Sequence, residues 1–337
     1  MIVPLVSFAH LYRLSDETGL FEHAKYTRPR REHGYCVDDV ARGLLVAARE
    51  PRPDPQLATL TRTYLRFVMD AQTPGGLVHN RRGTDQQWHD DATAEDCWGR
   101  ALWGLGTVVR RIPELAALAL ERFEFSCPVR SPWSRAMAFA ALGAAEVLRV
   151  EPDHAGARAL LADAVIEIGA PETDPGWQWP ELRLRYANAA LAEVHIAAGA
   201  LLGDDRVLGN GLAMLRWLVR AETSGDHLSP TPVAGWSFGE PRPGFDQQPI
   251  EVAALADAAA TAFDVTADDF WLDVVALATG WFLGANDARV SLVDPLSGGG
   301  CDGLSRCGRN ENQGAESTLA LLSTFQQAHR LPARLSL

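Results

Sequence analysis

Val37-Asp38-Asp39-Val40-Ala41-Arg42-Gly43-Leu44 sets an acidic pair three or four residues before an arginine and then runs into an apolar helical stretch. Ala94-Glu95-Asp96-Cys97-Trp98-Gly99-Arg100-Ala101-Leu102 repeats the arrangement with one residue more between the acidic pair and the arginine. Further on, Gln248-Pro249-Ile250-Glu251 and Gln313-Gly314-Ala315-Glu316 each open a helix with Gln-x-x-Glu. Polar groups that recur at the entrance to successive apolar helices imply one circular architecture, with its functional groups gathered at one end.

Outward from these entrances, 3.6-residue periodicity and breaker residues predict helices at about 4–14, 37–49, 55–72, 94–111, 113–124, 132–149, 154–168, 182–202, 205–222, 248–263, 268–284 and 312–329. They alternate between two kinds. One is rich in Ala and small residues on all sides, as in Ser134-Arg135-Ala136-Met137-Ala138-Phe139-Ala140-Ala141. The other is amphipathic, as in Leu57-Ala58-Thr59-Leu60-Thr61-Arg62-Thr63-Tyr64. A helix apolar all round is buried all round, whereas an amphipathic one keeps a wet face. Six of each, alternating, give an all-α (α/α)6 toroid that takes in residues 1–337 as one domain.

The connections agree. Outer helices follow inner ones after short turns such as Glu50-Pro51-Arg52-Pro53-Asp54. Inner helices follow outer ones after long segments, about 73–93, 169–181, 223–247 and 285–311, which emerge on one face. Long loops in a compact domain are commonly functional. Gly75-Gly76-Leu77-Val78-His79-Asn80 has the character of a short β-hairpin there.

The formal charge of −12 disfavours a protein that grips nucleic-acid phosphates, and Arg28-Pro29-Arg30-Arg31 is a lone basic cluster. No stretch of roughly 18 apolar residues offers a membrane span, and Met1-Ile2-Val3-Pro4-Leu5 lacks the charged region of a signal peptide. The five cysteines are widely spread, which suits reduced thiols in a cytoplasmic protein, and no metal-ligand spacing stands out. No metal and no cofactor are expected.

Acidic groups cluster at the inner-helix entrances and long loops: Asp38, Asp39, Asp90, Asp91, Glu95, Asp96, Glu181, Asp246, Glu251, Asp302, Glu311 and Glu316. Each has a local explanation, since carboxylates near a helix N-terminus satisfy free N–H groups and the macrodipole. Asp39 with Arg42 and Asp96 with Arg100 also have ion-pair spacing. Capping does not explain why the same ends carry other polar and aromatic groups. Asn188, Gln247, Gln248, Asn310, Asn312 and Gln313 can hydrogen-bond hydroxyls, with Arg42, Arg100, Arg135 and Arg185 as further donors. Trp88, Trp98, Trp103, Trp133, Trp177, Trp179 and Trp236 lie in the loops or on inner helices, and Trp177 and Trp179 together suggest a platform for a sugar ring. That mixture suits an oligosaccharide or other small carbohydrate.

Glycosidic hydrolysis needs one protonated and one ionised carboxyl group, and crowded carboxylates beside apolar walls supply that spread. The catalytic candidates are Asp39, Glu95 and Asp96 in the first half of the chain and Glu251, Glu311 and Glu316 in the second. Asp39, Glu95, Asp96, Glu251 and Glu316, together with Trp179, Gln248 and Asn312, are expected to line one cavity.

Twelve alternating helices with polar, Trp-rich inner entrances resemble the six-hairpin glycosidase superfamily, which holds hydrolases, phosphorylases and related sugar 2-epimerases. Val37-Asp38-Asp39-x-Ala41-Arg42, Glu95-Asp96-x-x-Gly99-Arg100-Ala101-Leu102-Trp103, Asp246-Gln247-Gln248-Pro249 and Asn312-Gln313-Gly314-Ala315-Glu316 also resemble a bacterial group of toroid proteins labelled glycosyltransferase-related. The resemblance implies a glycoside hydrolase acting on a short oligosaccharide. One alternative is a sugar epimerase or isomerase working through a His pair, with His33, His89, His195 and His227 as candidates. Another is a noncatalytic glycan-binding or scaffold protein. A DDxxD motif of the terpene-synthase kind would need Asp at positions 42 and 94, where Arg42 and Ala94 stand.

Overall fold

A computed structural model describes residues 3–331 and has twelve α-helices among them. In chain order they are α1 (Ala9–Leu14), α2 (Val37–Arg49), α3 (Pro55–Asp70), α4 (Asp96–Arg111), α5 (Pro113–Ser126), α6 (Ser134–Leu148), α7 (Ala155–Ile168), α8 (Asn188–Leu202), α9 (Asp205–Ala221), α10 (Pro249–Thr266), α11 (Phe270–Phe282) and α12 (Ala315–Arg330). The even-numbered helices pack each on the next, and α12 returns to α2. The odd-numbered ones lie outside, each against its preceding inner helix, with α1 against α12. The fold is the (α/α)6 toroid.

The inner ring is buried because its helices are lined with small side chains. α4 and α6 approach so closely that a Cβ on Gly106 would collide with the Gly143 carbonyl, and one on Gly143 with the Leu102 carbonyl. Around the ring, α8 and α10 bury nearly every residue from their first turns to their middles. The outer helices present apolar stripes inward. α3 buries Leu57, Leu60, Tyr64, Phe67 and Val68 and starts at Pro55 under an Asp54 cap, whose Oδ1 accepts from the Leu57 N–H at 2.8 Å.

Two helices begin later than periodicity suggests. The segment expected to start at residue 4 is non-helical up to Phe8, because the His329 ring takes the Pro4 carbonyl at 2.8 Å and the first helical bond runs to Phe8 O. α8 starts at Asn188 rather than near 182: Arg183–Leu184 pairs with Trp236–Ser237 as a two-stranded ribbon, and Ala187 is left-handed at φ 47°. Four other two-stranded ribbons decorate the periphery. At Gly75–Asn80 only Val78 is bridged, to Gln72 on one side and Thr93 on the other, and the paired strand begins at Arg81.

Towards the C-terminal ends of the inner helices, the axis is closed by buried polar groups. Arg49 Nη1 donates to Asp257 Oδ1 and to Ser323 Oγ, both at 2.9 Å. Glu193 accepts from Thr261 at 2.7 Å, but its second oxygen has no hydrogen-bond partner. Burial and the nearby Asp257 push its carboxyl up to about 8. All five cysteines are free. Among the described residues, no helix is long and apolar enough to cross a membrane.

Two outcomes follow. Gly143→Ala should lower the unfolding free energy by about 1–3 kcal/mol through overpacking, whereas Ala in an open helix stabilises by roughly 0.5–1 kcal/mol. Urea titration gives the sign, and a stabilised variant would exclude backbone contact between α4 and α6. The second concerns Glu193, whose folded pKa lies above its unfolded value. The unfolded chain therefore loses this proton first as pH rises, and stability falls between about 4.5 and 8. The thermal midpoint of Glu193→Gln should fall less steeply over that window, and parallel curves for the two proteins would sink the assignment.

Candidate functional site

The N-terminal ends of the inner helices open onto two adjoining clefts of about 600 and 590 Å³. The first is bordered by Asp38 of α2, Glu95 and Asp96 at the start of α4, Ser134 and Arg135 of α6, and Arg185 and Tyr186 before α8. The second is bordered by the same Arg185 and Tyr186, by Gln248 and Ile250 at the start of α10, and by Glu316 of α12. All six inner entrances therefore meet on one face, with Arg185 and Tyr186 forming the seam between the clefts.

Local capping does not account for the carboxylates here. None of the six inner helices is capped by its own N-cap side chain, whereas outer helices α3, α7 and α9 are capped by Asp54, His154 and Asp204. The inner entrances take their caps from elsewhere. Asn80 Oδ1 accepts the Asp38 N–H at 3.2 Å, Asp302 Oδ1 the Gly314 N–H at 2.6 Å, and the Glu22 carbonyl the Ala315 N–H at 3.0 Å. Asp38, Asp96 and Glu316 are left for side-chain partners.

Those partners differ. Arg42 lies between Asp39 on its own helix and Glu316 on α12, with a 2.7 Å bond to each. Glu316 is desolvated, yet Arg42, with weaker help from Arg100 and His23, holds its carboxyl below the usual range. Asp39 is 2 % exposed, and burial pushes it up to about 7 against the pull of Arg42. Asp96 accepts from the Tyr186 hydroxyl at 2.8 Å, but burial outweighs that bond and Arg100, so its carboxyl is raised. Arg100 turns away from the Asp96 pairing expected from its spacing. It sits 3.9 Å over the Phe139 ring and 3.6 Å from Asp38, which also accepts from Asn80 at 2.9 Å.

Several sequence candidates have other work. Glu251 lies outside both clefts: its oxygens accept from Ala187 N at 2.6 Å, Asn188 N at 3.3 Å and Asn188 Nδ2 at 3.1 Å. It caps α8 from the neighbouring helix. Burial and Glu222 push its carboxyl up to about 8, against those N–H groups. Asn188 is fully buried and also receives Arg135 Nη2 at 3.1 Å. Gln247 and Gln313 are buried in loop-anchoring networks with Trp281 and with Ser297 and Asp294. Asn312 accepts the Tyr26 N–H at 2.9 Å and, with Glu311, borders a separate peripheral depression.

The platform reading of Trp177 and Trp179 is corrected. Both are buried, with ring centroids 5.0 and 5.9 Å from Trp217, so they form the core of their own loop. Trp133, 58 % exposed on the first cleft, is the tryptophan that faces solvent. Nor is the expected single cavity formed by the full set: Glu95 and Asp96 share one cleft, Gln248 and Glu316 the other, and Asp39 lies beneath Arg42.

Two groups escaped the sequence reading. Tyr186 was hidden because its role depends on Asp96 from another helix. His23 was passed over, although the bond from Ala315 N to Glu22 O brings its segment against α12, and its ring meets His33 at 5.1 Å between centroids. Of the histidines read as candidates, His195 is buried on the Leu191 carbonyl at 3.1 Å, His227 lies between Asp226 and Asp287, and His89 is on Asp85 at 3.0 Å.

No protein-family model and no curated protein sequence matches this chain. Solved structures do. Cellobiose 2-epimerase from Bacillus thermoamylovorans superposes with a TM-score of 0.71 at 10 % identity, covering 96 % of this chain and 95 % of that one. A D-mannose isomerase gives 0.69 at 8 % identity, covering 96 % and 95 %. A cellulase of C. cellulolyticum in complex with cellobiose gives 0.64 at 9 %, covering 93 % and 88 %. The chain shares its (α/α)6 toroid with these epimerase, isomerase and cellulase structures.

If Glu251 is a cap, Glu251→Ala strands the Ala187 and Asn188 N–H groups, at a cost of about 1–3 kcal/mol. Urea unfolding should register that loss, and amide exchange at those two residues should accelerate. Unchanged stability with unchanged exchange would show that the contact carries nothing.

Proposed function

We propose that the protein is a carbohydrate-active enzyme that moves protons on a short saccharide held across the Arg185–Tyr186 seam. The observation that carries this reading is the contrast between Asp96 and Glu316 on adjoining clefts, one held toward the protonated form and the other toward the ionised form. Titratable groups whose environments drive them apart are matched to acid and base roles. A capping role does not explain them, because neither accepts a backbone N–H among the described residues.

Two reactions fit such a pair. Epimerisation or isomerisation of a reducing sugar draws support from His23, near enough to Glu316 of α12 to act on its carboxyl and in ring contact with His33, and from near full-length likeness in fold to sugar epimerases and an isomerase. A base there would take the proton next to the carbonyl of the opened sugar, and Asp96 with Tyr186 would serve the oxygen or return the proton. Hydrolysis of a glycosidic bond is the second reading. It rests on Asp96 as the proton donor to the leaving oxygen and on Glu316 as the carboxylate that activates water. We rank epimerisation or isomerisation first, since its support includes a His pair that hydrolysis does not need.

Incubating the protein with reducing hexoses and disaccharides in D2O separates these readings. Proton exchange should place deuterium next to the carbonyl carbon of a newly formed sugar, visible by NMR. Release of monosaccharides without carbon-bound deuterium would select hydrolysis instead, and no change in any sugar would return the protein to glycan binding. His23→Asn and Asp96→Asn should each lower kcat about a hundredfold or more while the thermal midpoint stays close to wild type. Glu316→Gln should lower kcat on the same scale and also lower the thermal midpoint, because it leaves Arg42 partly uncompensated.

A further inference from the structure

The arginines around the mouth have nearly all been neutralised. Arg42 lies between Asp39 and Glu316, Arg100 faces Asp38, Arg135 meets Glu181, Arg81 meets Glu22, and Arg183 meets Glu240. Arg185 differs. It is exposed, it borders both clefts, and its guanidinium has no hydrogen-bond or ion-pair partner among the described residues. The Gln248 amide, half-buried in the second cleft, is likewise without a partner there. The one carboxylate on that cleft, Glu316, is already paired with Arg42. A cleft with an open guanidinium, an open amide and no free carboxylate has donors in excess of acceptors. Its local balance is positive, although the whole chain carries −12.

A neutral sugar would satisfy the amide and leave the charge unmet. A planar guanidinium presents parallel N–H groups that match a carboxylate, phosphate or sulfate. The first cleft is a poorer place for an anion, because Asp91 and Glu95 stand exposed on its α4 side. An anionic group on the second cleft would leave the sugar ring reaching toward Tyr186 and Asp96 across the seam.

We propose that the saccharide substrate carries an anionic substituent, a carboxylate or an ester phosphate or sulfate, and that Arg185 in the second cleft is the residue that selects for it. This rests on the carbohydrate reading above and names the class of sugar.

Calorimetric titration of the full chain with neutral hexoses, the matching hexuronates, hexose 6-phosphates and hexose 6-sulfates tests it. In at least one sugar series the anionic member should bind tenfold or more tightly than its neutral parent, and the preference should shrink as salt is raised. Whether uronate, phosphate or sulfate is preferred identifies the source of the charge. Arg185→Gln should bring the anionic-to-neutral ratio close to one. Arg185→Lys, which keeps charge but loses the planar fork, should restore part of it, most weakly for the carboxylate. Circular dichroism of both variants confirms folding, and the Lys variant carries the test if the Gln variant does not fold. Neutral sugars binding as tightly as anionic ones would overturn this proposal alone, as would a preference that survives Arg185→Gln. Absence of binding by every sugar would overturn it together with the carbohydrate reading.

Discussion

A ring of helices buried on every side has to close. Left open, this one would expose the apolar flanks of α2 and α12, the first and last inner helices. The closing seam is polar at several levels: Arg42 reaches Glu316, Arg49 reaches Ser323, and Gln326 Nε2 donates to the Val46 carbonyl at 2.9 Å. Arg42 matters most, because it is held mostly out of solvent between two carboxylates, and removing either would leave its charge partly uncompensated. Its pairing also fixes where Glu316 sits and keeps it ionised. Ring closure and the chemistry of the mouth thus share one side chain.

That arrangement changes which carboxylates are near one another. Groups from the two ends of a linear chain are expected on opposite sides of a cavity. In a closed ring the last inner helix is the neighbour of the first, so Glu316 belongs beside Asp39. The group facing them across the seam comes through Tyr186 and Asp96. The mouth avoids tying its carboxylates to helix ends, since Asn80, Asp302, the Glu22 carbonyl and Glu251 satisfy those ends from neighbouring segments. Side chains spared from capping are available to a ligand.

The long loops divide their aromatic content in the same way. Trp177 and Trp179 support their own loop against Trp217, which leaves Trp133 and Tyr186 to face the clefts. Fold likeness to epimerases, an isomerase and cellulases does not choose among chemistries, because a toroid holds any of them on its mouth. In the function proposed above, the choice rests on a few side chains: Asp96, Glu316, His23 and Arg185.

The linear sequence determined the twelve helices, their alternation and the gathering of their entrances on one face. Helix periodicity, all-round Ala and Gly content and turn residues are local properties that neighbours along the chain already express. It also drew attention to Asp38, Asp96, Gln248 and Glu316, which do border the clefts. It did not separate them from Glu251, Gln247, Asn188 and Gln313, because a buried cap and a free acid at a helix start read alike until the donor from another helix is known. The same limit hid Tyr186, whose partner lies 90 residues away, and His23, whose segment is tied to α12 through the bond from Ala315 N to Glu22 O. Only the tertiary structure decided which polar groups were consumed in holding the ring together and which, such as the Arg185 guanidinium, have no partner among the described residues, since hydrogen-bond satisfaction depends on contacts between segments far apart in the chain.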